Sequence, residues 1–259
     1  MVIIIMNKII KIIKYKYIIL LYKNKMDYWF EIKKTILEIL RDRGYDISKE
    51  KHILNMKLED FEDFYNKSLN YYKTDNPHTK NYENLEISLL FNDKIYYHIF
   101  DKTEENNMKT IITYFIIPED KNICTKDINK FKEKTIMSDN YFVSDAILIH
   151  NDPISSYVKK ELSKMTQHIF NIIVFNANEL LFNPTKYIDC PQYILLDDTE
   201  KIQLMSTLKC KLSDFLIIKQ TDPIIKYYGW KRGQIIKIIR DDYKYNILSP
   251  QSINYRIII

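Results

Sequence analysis

Glycine is nearly absent from this 259-residue chain: there are three, together with only two alanines, Ala146 and Ala177. So little glycine excludes collagen-like and glycine-rich low-complexity architectures, and each glycine that is kept marks a backbone position other residues fill poorly. Cysteine is as scarce. Cys124, Cys190 and Cys210 are odd in number, far apart and without a C-x-x-C pair, which argues against a disulfide scaffold and for free thiols in a reducing compartment. The five histidines (His52, His78, His98, His150, His168) offer no H-x3-H or H-E-x-x-H spacing that would place two zinc ligands on one helix face. We therefore expect no metal site and no cofactor. Long uninterrupted apolar runs are also missing. Residues 1–25 are rich in isoleucine, but lysines at 8, 11, 14 and 16 break them well short of the roughly 20 apolar residues that span a bilayer. The same stretch lacks the small residues of a secretory cleavage site. The expectation is an apolar and basic extension that is untranslated, translation starting at Met26, or else without fixed structure. An interfacial amphipathic segment is the alternative.

What is present is a globular chain: 46% of its residues are hydrophobic, enough at 31.4 kDa to bury a core. Abundant Ile, Lys, Asn and Tyr point to AT-rich codons, a property of the genome rather than of the chemistry. The formal charge of +5 is uneven. Six lysines and no acid in residues 1–25 leave the body at −1, and within it residues 222–259 carry +4 against −5 for residues 26–221. A generally basic, nucleic-acid-coating protein is thereby excluded, and a local basic patch near the C-terminus is left.

From Met26 the spacing predicts a helix with Trp29, Ile32, Ile36, Ile39 and Leu40 on one face, Asp27 as N-cap and Gly44 in the left-handed closing position. A second, short helix with Leu58, Phe61, Phe64 and Tyr65 on a shared face follows. "KIYYHIF" and "KTIITYFIIP" read as a hairpin. "DAILIH", a helix opened by Asp152 and Pro153, and "HIFNIIVFN" make a strand–helix–strand unit of parallel pairing, so residues 26–183 form an α/β domain. "NPTKYIDCP" reads as a linker into a small α+β domain, residues 184–259, whose first helix is capped by Asp198 or Thr199.

The stretch "TDPIIKYYGWKRGQIIKIIR" holds the other two glycines. Asp222 caps and Pro223 opens a two-turn helix, Gly229 lets the chain leave it, and Gly233 ends a turn before a strand that "INYRIII" can pair with. A phosphate-binding loop needs G-x-x-x-x-G-K-[ST] running from strand into helix, whereas "GWKRGQ" has other spacing and the reverse order.

This stretch, closed by Tyr255 and Arg256, resembles the fifth subunit of eukaryotic RNA polymerases and the small archaeal counterpart of its C-terminal domain. The matching positions are Asp222, Pro223, Tyr228, Gly229, Lys231, Arg232, Gly233, Lys237, Arg240, Tyr255 and Arg256. The opening helices look like the family's N-terminal jaw. Cys190 and Tyr193 stand where the family usually has histidines, and Leu216 where it has proline. The resemblance implies a restriction-endonuclease-like jaw near downstream duplex DNA and a C-terminal assembly domain that docks on the largest subunit. It implies a non-catalytic member of a DNA-directed RNA polymerase, partnered by the other subunits and by no membrane. No D-x-D-x-D string is present to hold magnesium for nucleotidyl transfer. Divergence and AT bias suggest a viral homologue working in the virion and host cytoplasm; a cellular one would be nuclear. The rival reading is a metal-dependent nuclease, in which Asp101 and Glu119 hold the metal and Lys121 positions water.

Overall fold

The computed structural model describes residues 25–75, 94–98, 109–116, 123–136, 143–168, 171–241 and 251–259. Two compact units divide between Phe182 and Asn183.

The first unit is built on a four-stranded sheet in the order β1-β2-β3-β4. β1 (Lys94–His98) and β2 (Lys109–Phe115) pair antiparallel, as the hairpin reading requires. β3 (Val143–His150) runs parallel to β2, and β4 (Asn171–Asn176) parallel to β3. Successive side chains point to opposite faces, and the two faces have different covers. Ile112 and Tyr114, Ala146 and Leu148, and Ile172 pack with Ile128 and Phe131 of α3 (Thr125–Ile136) and Val158, Leu162 and Met165 of α4 (Ser156–His168). From the other face Phe115 meets the edge of Trp29, 5.3 Å between centroids, on α1 (Lys25–Asp42).

Helix α1 is buried more completely than a single apolar face would require. Lys33, Thr35 and Glu38 are buried along with Ile32, Ile36, Leu37, Ile39 and Leu40. A 3-10 turn at Lys51–Asn55 and helix α2 (Leu58–Asp75) pack on it as well, with Phe30 and Phe61 in ring contact at 4.8 Å. Lys33 is accommodated by donating to Glu50 Oε2 at 3.1 Å. The helix closes as expected on Gly44 (φ 82°): the Tyr45 N–H reaches Leu40 O and the Gly44 N–H reaches Arg41 O, both at 2.9 Å.

Four expectations need correction. Helix α1 starts at Lys25, so Asp27 lies within its first turn and does not cap it. Phe64 is 47% exposed, and of the face expected on α2 only Phe61 is fully buried among the described side chains. Helix α4 starts at Ser156 rather than at Pro153: Ile154 stays extended to bridge in parallel with Ile123, and Ser155 Oγ accepts from the Val158 N–H. The first helix of the second unit, α5 (Asp198–Leu208), is capped by Asp197, because only Asp197 has a glutamate three residues on. Glu200 closes the reciprocal capping box.

A carboxylate network ties α1's exit to the sheet. Asp145 on β3 accepts from Tyr45 Oη (3.1 Å) and Ser144 Oγ (3.2 Å) through one oxygen and from Asn171 Nδ2 (3.1 Å) through the other. Burial, then the Asp145 charge, pushes the Tyr45 phenol far above its ordinary range, and burial lifts Tyr28 to about 12.

The second unit is a mixed sheet in the order β5-β7-β8-β6. β5 (Gln192–Leu195) and β8 (Gln251–Ile258) flank β7 (Ile235–Asp241) antiparallel, and β6 (Leu216–Ile218) adds to β8 in parallel. Ile218, Ile236, Ile238 and Ile258 form its core with Ile225, and Tyr193, Leu195 and Trp230 border it. Asn183, within the segment read as a linker, is itself buried: its Nδ2 donates to Tyr227 Oη at 3.1 Å and its Oδ1 accepts from the Thr185 N–H.

Helix α5 ends on Lys209, a non-glycine residue in the left-handed region (φ 49°), whose N–H bonds to the last turn. Lys209→Gly is expected to raise stability by about 0.5–1 kcal/mol, because glycine adopts this conformation without the side-chain clash. Urea unfolding of the two proteins side by side checks this, and a lower midpoint for Lys209→Gly would contradict it.

Candidate partner-binding surface

The helix–turn–strand unit is built as its residues dictate. Asp222 Oδ1 accepts from the Ile224 N–H at 3.0 Å, Pro223 opens α6 (Pro223–Tyr228), and Gly229 (φ 71°) ends it. The N–H groups of Gly229 and Trp230 both reach Ile225 O, at 3.0 and 3.2 Å. The chain then turns at once. The Gln234 N–H returns to Lys231 O, and Gly233 (φ 82°) holds the left-handed place that such a turn needs. Nothing lies within 4 Å of where a Cβ on Gly233 would sit, so its requirement is conformational rather than steric. Sheet bonds anchor the turn: Gly233 N–H to Ile258 O at 2.9 Å and Ile258 N–H to Gln234 O at 3.0 Å. Lys201 Nζ, from α5, adds a bond to Gly233 O at 3.2 Å.

The eleven residues singled out from the sequence do not form one patch. Asp222, Pro223, Tyr228 and Gly229 belong to the helix and its exit, where Tyr228 stacks on Trp230 at 4.5 Å with 13° between planes. Lys231, Arg232 and Gly233 form the exposed turn. Lys237 and Tyr255 sit directly opposite each other across β7 and β8, on the sheet face away from the core. Arg240 and Arg256 are on the core face: Arg256 lies opposite Ile236 and Leu216, and Arg240 lies two positions beyond Ile238.

Tyr193 lies on that same core face, opposite Ile238. Burial raises its phenol and the Asp222 charge raises it further, while Arg240 and Arg256 pull it down. Burial and Asp222 likewise raise the Cys190 thiol. A raised thiol is a poor nucleophile. The three cysteines are free, and among the described residues no group of three or more His, Cys, Asp or Glu is placed to hold a metal ion. Asp101, Glu119 and Lys121 lie outside the described residues. Among the described residues, too, no helix is long and apolar enough to cross a membrane.

Sequence reasoning missed three supports of this surface. Of the adjacent pair Tyr227 and Tyr228, the first is the one fully buried and tied to Asn183. Lys201 is remote in sequence from the glycine it holds, and no local signal could have revealed it. Trp230, whose ring completes the stack on Tyr228, could have been found as an aromatic beside the glycine.

Two family profiles match. "RNA polymerase Rpb5, N-terminal domain" covers residues 23–135. "RNA polymerase Rpb5, C-terminal domain" covers residues 182–258. Among relatives, "DNA-directed RNA polymerase subunit 5-like protein 1" of Arabidopsis thaliana is 30% identical over 82% of this chain and 89% of its own length. "DNA-directed RNA polymerases I, II, and III subunit RPABC1" of Caenorhabditis briggsae is 26% identical over 89% of this chain and 95% of its own. The Dictyostelium discoideum protein of the same description is 28% identical, over 81% and 88%. The class so defined is that of subunits of multisubunit DNA-directed RNA polymerases. Within it, this chain belongs to the Rpb5 family.

Proposed function

We propose that this non-catalytic subunit acts through its C-terminal unit, which docks on the largest polymerase subunit and promotes assembly, while its N-terminal unit serves as a restriction-endonuclease-like jaw near downstream duplex DNA. The observation that carries the docking reading is the apolar surface of the unit Asn183–Ile259. Ile188, Ile202, Leu208, Leu216, Ile217 and Ile253 are each 50–86% exposed, and no residue of α5 is buried. They are spread over both sheet faces, helix α5 and the segment before β5, and we read them as contact positions for a partner rather than as one continuous patch. Ile253 and Ile217 share the sheet face of Lys237 and Tyr255, which joins the matched residues to the apolar surface. An AT-rich coding bias favours a viral source, with work in the particle and host cytoplasm; a cellular source would place the subunit in the nucleus.

The test is affinity purification of the tagged full chain from its native source, with quantitative mass spectrometry of what comes with it. The two largest polymerase subunits are expected in near-equal amounts. A Gly229→Val, Gly233→Val double variant is expected to lose most of that recovery, because valine is strained in the left-handed conformation that both positions hold. Purification without any polymerase subunit would defeat the reading. Site-specific cross-linking of the purified complex to a downstream duplex tests the jaw.

A further inference from the structure

Strand β6 forms one edge of the second sheet, and that edge is unguarded. Natural edge strands usually blunt their spare backbone groups with a proline, a charge, a bulge or a cover. Leu216–Ile218 holds no proline and no charge, its register against β8 runs without a bulge, and Leu216 and Ile217 are 59% and 57% exposed on opposite faces. The pairing with β8 shows which backbone groups are spare. The Ile259 N–H reaches Ile218 O at 3.0 Å and the Gln220 N–H reaches Ile259 O at 2.9 Å, so Ile218 and Gln220 turn their groups toward β8. Backbone groups alternate along a strand, so those of Leu216 face β8 as well, and those of Ile217 and Lys219 face outward. Lys219 O is taken by the Asp222 N–H at 2.9 Å, in the turn into α6. Among the described residues the N–H and C=O of Ile217 have no partner.

Resting on the docking reading above, we propose that β6 accepts an extended segment of the docked polymerase subunit as a further strand, paired through the N–H and C=O of Ile217. Main-chain bonds of this kind hold a segment whatever its sequence, and the side chains beside them select it. Here the flanking side chains are Leu216 on one face and Ile217 on the other, so the fitting segment is apolar on both faces and carries no proline where it pairs. Area argues against a second copy of this chain as the occupant. Three residues of edge bury far less than the roughly 1,200 Å² at which stable interfaces begin, so two copies joined edge to edge would separate. A segment belonging to a subunit that also touches Ile202 and Leu208 of α5, or Ile253 of β8, gains that area elsewhere on the unit. The added strand then fixes register and orientation more than it supplies affinity.

The experiment compares tagged full chains, wild type, Ile217→Pro and Ile217→Thr, each expressed in the native source and purified with its polymerase. The readout is the amount of the two largest subunits recovered per tagged chain. Proline at 217 removes only the outward N–H and leaves the ladder to β8 intact, so the isolated Ile217→Pro chain should melt at about the wild-type temperature. Its recovery of polymerase should fall about tenfold, through one lost bond and a ring that blocks the edge. Ile217→Thr keeps the donor and the β-branched shape, and should stay within about threefold of the wild type. Equal losses for Thr and Pro would make Ile217 a side-chain contact and overturn the added strand. A lower melting temperature for isolated Ile217→Pro would mean that the N–H already serves the free fold, with the same consequence. Amide-resolved hydrogen exchange on the unsubstituted chain decides independently of any variant. In the free chain the Ile218 N–H, bonded to β8, should exchange slowly and the Ile217 N–H fast; in the purified complex both should be slow. An Ile217 N–H that exchanges as fast in the complex as in the free chain would overturn the proposal and leave docking intact. Recovery of no polymerase subunit by the wild type would defeat docking and the added strand together. A free chain that sediments as a dimer at micromolar concentration, with Ile217→Pro monomeric, would assign the edge to a second copy and overturn the proposal.

Discussion

Lys33→Met is expected to destabilise the N-terminal unit by about 3–5 kcal/mol, the usual cost of removing one partner from a buried ion pair. Lys33 is 2% exposed and its ammonium lies 3.1 Å from Glu50 Oε2, on a glutamate that is itself buried. Methionine matches the lysine stem in shape, so the loss would come from the buried carboxylate deprived of the Lys33 charge rather than from a cavity. Replacing both residues, Lys33→Met with Glu50→Met, should therefore recover most of the loss. Urea unfolding read through Trp29, which is 4% exposed on the same helix, reports on this unit once Trp230 is replaced by phenylalanine. A double variant no more stable than Lys33→Met would show that packing, not charge, dominates at this site.

The second large effect is expected at Tyr227. Its side chain is fully buried, its hydroxyl accepts from Asn183 Nδ2 at 3.1 Å, and its ring meets Tyr228 edge-on at 5.1 Å. Tyr227→Ala should cost about 3–5 kcal/mol, the range for deleting a buried aromatic. The unit Asn183–Ile259 is small enough for that to exhaust most of its stability. Tyr227→Phe keeps the ring and removes the acceptor that the Asn183 amide uses, a loss of about 1–3 kcal/mol. With Trp29 replaced, Trp230 fluorescence follows this unit alone. The expected order is wild type, then Phe, then Ala, with recovery of polymerase subunits falling in the same order. Equal losses for Phe and Ala would mean that the hydrogen bond outweighs the packing of the ring.

These two sites also show where sequence reading ends. Helix α1 was legible from the spacing of Trp29, Ile32, Ile36, Ile39 and Leu40, and its end from Gly44. Its second buried side was not, since Lys33, Thr35 and Glu38 are polar and the elements that cover them come later in the chain. The reading of a helix start at Asp152-Pro153 followed a sound local rule. That rule lost to one long-range bridge, Ile123 to Ile154, and the helix begins three residues later. Phe64 fitted an apolar face by spacing alone and is exposed, since a helix buries only the turn that meets a neighbour, here Phe61 against Phe30.

What the sequence determined by itself is local and covalent in origin. Asp222 followed by Pro223, with Gly229 and Gly233 at set distances, encodes helix, exit, turn and strand, because capping bonds and allowed φ values depend on neighbours within a few residues. Strand alternation and the order of elements implied the parallel and antiparallel pairings in the same way. What only the tertiary structure decided is which side chains meet. Lys237 and Tyr255, or Lys201 and Gly233, are brought together by sheet order, register and packing, which depend on the burial of every strand at once. The eleven matched residues thus share one short stretch and one terminal strand in sequence, yet divide among a helix and its exit, a turn and two opposite faces of a sheet. Side chains alternate across a strand, so adjacency along the chain places neighbours on opposite sides.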